Sequence, residues 1–150
     1  MKSMTTRLAV AVFIGTVLIF SNLQSAHAGD VVIIGHKNLP VDSLGREEVK
    51  KIFLGKKTKW NKNLKITIVT LQTPETHKSF LKDYIRKTPS QFNIYWKKMI
   101  FTGKGRTPKS FETAEQILDF VAATKGAMSY IPMGTDNNKV KIINTFIKRK

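Results

Sequence analysis

The sequence predicts an α/β domain in which a small, mainly parallel sheet carries helices on both of its faces. Three observations lead there. Short apolar or alternating runs, typical of strands, are separated by longer stretches with apolar residues at helical spacing. Pro, Gly or a capping residue punctuates those longer stretches. No internal repeat, low-complexity linker or second domain interrupts the order, and strands joined through helices favour a parallel arrangement.

The first 28 residues read as an export signal. Lys2 and Arg7 form a positive start, Leu8 to Phe20 run without a charge, and Ala26-His27-Ala28 is a small-x-small cleavage pattern. As helix, that apolar run would rise only about 20 Å, short of the ~30 Å hydrocarbon core. Cleavage after Ala28 is expected, with no stable membrane anchor. Residues 29–150 then form a single domain, long enough for one core.

Val31-Val32-Ile33-Ile34, closed by Gly35, suits a strand buried on both faces. Gly45 can cap a helix, with Glu48 three positions on; Val49, Ile52 and Phe53 line its apolar face and Gly55 stops it. Residues 64–69 alternate and are β-branched, which predicts a second strand. Thr73-Pro74 starts the next helix, because Thr caps and Pro fits the first turn. Phe80, Leu81, Tyr84 and Ile85 form its inner face.

Thr88-Pro89-Ser90 breaks the chain before a helix presenting Phe92, Tyr95, Trp96, Met99 and Ile100. Residues 101–108 read as a basic loop with glycines. Phe111, Ala114, Ile117, Leu118 and Val121 predict another helix, ended by Lys125-Gly126. A strand at residues 127–131 is cut off by Pro132, and residues 140–143 give the last one.

Charge and chemistry narrow the function. The chain has 150 residues, no cysteine and a formal net charge of +16; loss of Lys2 and Arg7 with the leader lowers this to +14. A field of that sign draws anions, acidic partners or anionic envelope surfaces. Export to the periplasm removes nucleic acid from the expected partners. Catalytic and cofactor motifs are absent, so neither an enzyme nor a cofactor or metal is expected. His36 and His77 stand apart in sequence, and His77, beside Phe80 and Leu81, reads as structural. A hydrolase would require His77 to meet a carboxylate in a cleft. Glu47-Glu48 fit a helix N-terminus better than an acid/base pair.

Two features could hold an anion. In the turn before Thr73 and Thr76, a strand's carboxyl end meets a helix N-terminus, where free N–H groups converge. Glu75 opposes that use, since it already occupies the positive end of the dipole. The second is Thr102-Gly103-Lys104-Gly105-Arg106, where glycines would let backbone amides approach a ligand beside two cations. Trp96 reads as core packing, and the role of Trp60 is open.

The order of motifs resembles a known family. Val41-x-x-Leu44, then Glu48-Val49-x-x-Ile52-Phe53-Leu54-Gly55-Lys56 and Trp60, resembles a segment of the phosphate-binding proteins of bacterial ABC transporters. Tyr95-Trp96 with Phe101-Thr102-Gly103 and Pro108 is similar to short, one-lobe members of the type 2 periplasmic-binding-protein superfamily. So is the ending Gly126-Ala127-Met128-x-Tyr130-Ile131. The resemblance implies one lobe of that fold and binding of phosphate or another small oxyanion, linked to a transporter's membrane component. It also locates a departure. The Arg, Asp and Ser-Gly-Thr with which full-length members grip phosphate are absent from residues 70–77; only Thr73 and Thr76 keep hydroxyls there. The alternative expectation is an envelope interaction module that reuses the fold and docks an acidic partner on its basic surface.

Overall fold

The computed structural model describes residues 30–146; the expected leader, its cleavage point and the basic tail lie outside the described residues. The strands are β1 (Val31–Gly35), β2 (Ser43–Gly45), β3 (Thr67–Leu71), β4 (Lys109–Phe111), β5 (Ala127–Pro132), β6 (Lys141–Ile142) and β7 (Asn144–Phe146). The helices are α1 (Arg46–Phe53), α2 (Pro74–Phe80), α3 (Pro89–Phe101) and α4 (Ala114–Ala123), with α2 running on into a π-helical turn, Leu81–Ile85. Among the described residues no helix is long and apolar enough to cross a membrane.

Five strands form one sheet in the order β4-β3-β5-β1-β6, while β2 and β7 pair separately in parallel. β3 runs parallel to β4 and β5; β1 runs antiparallel to β5 and β6. Every strand of this sheet but β1 therefore points the same way. The mainly parallel expectation holds, and β1 is its exception. Its partners arrive about a hundred residues later in the chain, so no local connection fixes its direction.

Handedness places the helices. The connection from β3 through α2 and α3 reaches β4 on one side; the return through α4 crosses over to β5 on the other. Two right-handed crossovers in opposite directions put their helices on opposite faces of the sheet. β5 lies between them, and its residues 127–131 are all buried, as a strand covered on both faces requires. On the α1 and α2 side, Tyr130 stacks on Phe80 with ring centroids 3.9 Å apart, and Phe53 meets Phe80 edge-on at 4.7 Å.

Local rules set most element ends. Thr88 and Gln91 form a reciprocal capping box with Pro89 in the first turn, and Thr113 and Gln116 form another. The second box starts α4 at Ala114 and leaves Phe111 to β4, correcting the longer helix expected there. β3 begins at Thr67 rather than residue 64, because Lys65 bridges back to Lys59 and closes a turn first. The strand expected at residues 140–143 shortens to β6, and a separate strand, β7, follows it, since Ile143 between them turns inward and its N–H donates to the Ile33 carbonyl. At α1, Gly45 caps without a side chain, and Glu48 leaves the helix end to pair with Lys57.

Candidate functional site

The two anion-binding features expected from the sequence sit at opposite ends of β3. Thr73 and Thr76 follow its carboxyl end. Gly103, Lys104 and Arg106 face residues before and within its start, Lys65, Ile66 and Ile68, across an open cavity of about 690 Å³. The fold does not combine them into one site.

The carboxyl end is largely occupied by the protein's own groups. The Leu71 N–H donates to the Tyr130 hydroxyl at 3.2 Å, and the Gln72 N–H donates to the Phe111 carbonyl at 2.8 Å. Tyr130 also bonds the His77 Nδ1. Thr76 is buried, whereas Thr73 is exposed and its hydroxyl makes no cap bond to the helix, contrary to its expected capping role. The exposed Glu75 adds a negative charge in the first turn. What remains for a ligand is the Thr73 hydroxyl and the first-turn amides of α2.

His77 is half-buried against Phe92 and Tyr130. Its partner is a phenol rather than the carboxylate a hydrolase would need. Burial holds the imidazole below its ordinary value of 6.5, because the charged ring would lose hydration. The folded state thus binds the proton less readily than the unfolded chain does. The His77 contribution to stability is complete above pH 6.5 and is lost as pH falls from there through the folded-state value. Urea titrations across this window are expected to show falling stability on acidification, with a shallower fall in His77→Gln.

The opposite end is built differently. The Thr102 N–H donates to the Lys98 carbonyl, that of Gly103 to Ile100 and that of Lys104 to Met99. The Thr102 hydroxyl donates to the Lys98 and Met99 carbonyls. Thr102 and Gly103, the latter at φ 66°, therefore close α3, and the amides of residues 102–104 are spent on that closure. The cations are not spent. Lys65, Lys104 and Arg106 line the cavity and form no salt bridge among the described residues. Lys57 also lines it, held by Glu48, and no carboxylate is among the lining residues.

Trp96 is part of the cavity wall. A Cβ added at Gly55 or Gly105 would stand 3.0 or 3.1 Å from its ring, so glycine at both positions lets the chain close around the indole. Trp96 is core, as its spacing predicts, and borders the cavity as well; its buried indole N–H lacks a partner among the described residues. Lys65 and Trp96 carry no signal in the sequence that they would converge with Lys104. Trp60 has a structural role: its indole N–H donates to the Gly126 carbonyl at 3.0 Å.

Among the described residues, then, the chain is a mainly parallel α/β domain of four helices with a basic cavity beside the start of β3. Comparisons with known proteins give the class a family. The model of a PBP superfamily domain matches residues 23–147, and the chain belongs to that family of periplasmic-binding-protein-like domains. No curated protein matches the sequence significantly.

Solved structures agree on the fold. A Clostridium perfringens protein described as a phosphate ABC transporter substrate-binding protein, with bound phosphate, superposes with a TM-score of 0.60 at 18% identity. An ABC-type phosphate transport receptor of Vibrio cholerae gives 0.53 at 18%, and PstS of Borrelia burgdorferi gives 0.60 at 13%. The matches cover 77%, 77% and 80% of this chain but only 44%, 45% and 48% of those. This chain thus spans less than half the length of the proteins it resembles.

Proposed function

We propose that the chain is a periplasmic, one-lobe solute-binding-type protein that captures phosphate or another small oxyanion and passes it to the membrane component of an ABC transporter. In this reading the leader is removed after Ala28, and residues 29–150 act as one domain. The likeness to phosphate-binding structures supports the ligand class. The observation that carries the reading is the cavity at the start of β3, where Lys65, Lys104 and Arg106 converge without an acid among the lining residues. One lobe leaves its anion partly hydrated, so each contact is weaker than in a closed, dry cleft.

Calorimetry of the full chain with phosphate and with sulfate tests this. Saturable heat is expected, with affinity about tenfold lower in Lys104→Ala and again in Arg106→Ala. Thr73→Ala is expected to leave it unchanged. Loss of affinity on Thr73→Ala alone would move the site to the other end of β3. No heat and no melting shift at millimolar anion would end the proposal.

A further inference from the structure

Helix α3 has two faces of opposite use. Phe92, Trp96 and Met99 turn to the core. At about 100° per residue, Ile94, Lys97, Lys98 and Phe101 lie on the opposite side at i, i+3, i+4 and i+7. That outer stripe is strongly exposed: Ile94 by 63%, Phe101 by 96%, and the neighbouring Ile100 by 50%. Burial of a phenylalanine is ordinarily a main source of stability. Here three large apolar groups of one helix stand in water instead.

The charge carried by this stretch of chain is of one sign. No acidic residue occurs between Asp83 and Glu112, while Arg86, Lys87, Lys97, Lys98, Lys104 and Arg106 all do. Lys97 and Lys98 form no salt bridge among the described residues. Apolar side chains interleaved with lysines do not make the dry, charge-depleted centre of a protein interface. The same interleaving suits the headgroup layer of a bilayer. Long lysine stems keep their ammonium groups among phosphates while Phe and Ile enter the acyl boundary below.

We infer that the outer face of α3, through Ile94, Lys97, Lys98, Ile100 and Phe101, docks on an anionic phospholipid surface. The α3 axis lies in the plane of the headgroups, and the sheet stands away from the membrane. This inference goes beyond oxyanion capture and does not depend on it.

The chain has no cysteine, so a single introduced thiol can carry a polarity-sensitive dye. Ile94→Cys reads the docking face. Asn138→Cys, exposed in the β5–β6 connection on the α4 side, reads a surface that should stay in water. With vesicles containing phosphatidylglycerol, dye at 94 is expected to shift to the blue, and dye at 138 is not. Vesicles of phosphatidylcholine alone should give no shift at either position. Lys97→Gln with Lys98→Gln should raise the lipid concentration at half-shift about thirtyfold, and Phe101→Ser about tenfold. Equal shifts at both positions, equal shifts with neutral lipid, or indifference to the lysine pair would overturn the inference. A shift at 94 that grows with protein concentration without lipid would overturn it in favour of a second copy of this chain.

Discussion

Gly126→Ala is expected to destabilise the domain by about 3 kcal/mol or more, the sum of backbone strain and a core overlap. Gly126 has φ 80°, a conformation that costs any residue with a Cβ. An added Cβ would also stand 2.1 Å from the Lys65 carbonyl oxygen, which is backbone and cannot rotate away. The same residue accepts the Thr67 N–H and the Trp60 indole N–H, so shifting it disturbs the start of β3 and the turn before it. Gly134→Ala is the control. It has φ 85° but open space around the missing side chain, and strain alone should cost about 1 kcal/mol. Urea unfolding of both variants checks the difference; equal losses would mean the Lys65 contact is not the cause.

Tyr130→Phe should cost about 2 to 3 kcal/mol, although it removes one oxygen and leaves the ring stack with Phe80 intact. The hydroxyl is shared by the Leu71 N–H, the Leu71 carbonyl and the His77 Nδ1. Without it a buried N–H is left without an acceptor, and no water reaches a position that is fully enclosed. Burial pushes the phenol well above its ordinary range, so the group acts as a neutral hydrogen-bonding plug through the working pH range. A thermal midpoint unchanged from the parent chain would show that the plug is dispensable. In that event the carboxyl end of β3 would regain its claim to the anion.

Both variants test the division of β3 into a closed end and an open one, on which the proposed function rests. The resemblance placed oxyanion recognition in the turn after β3, where the family's own polar residues are missing from this chain. The cavity lies at the other end, where the loop that closes α3 brings Lys104 and Arg106 opposite Lys65. The Ala variants at 73, 104 and 106 separate the two locations by affinity alone.

Legibility followed the range of the interactions involved. α1 and α3 were readable because their buried residues repeat at helical spacing within one turn of each other. β2 and β4, three residues each, were not, because so short a strand exists only through its partners. Phe111 fits helix or strand by its apolar character alone; pairing of β4 with β3 decides for strand. Of the expected site residues, Lys104 and Arg106 are legible as cations beside glycines. Thr102 and Gly103 looked like ligand donors because a helix end and an anion loop use the same residue types. Their hydrogen bonds went to closing α3.

The sequence by itself determined the run of helices and strands, the family and the heavy positive charge, since each is written in residue type and local spacing. Only the tertiary structure decided where that charge gathers around a cavity. Tyr130 reaches Leu71 across 59 positions of chain to fill one end of β3, and Lys65 and Lys104 line one cavity at the other. Local sequence cannot encode such meetings, because they are set by which strands lie side by side.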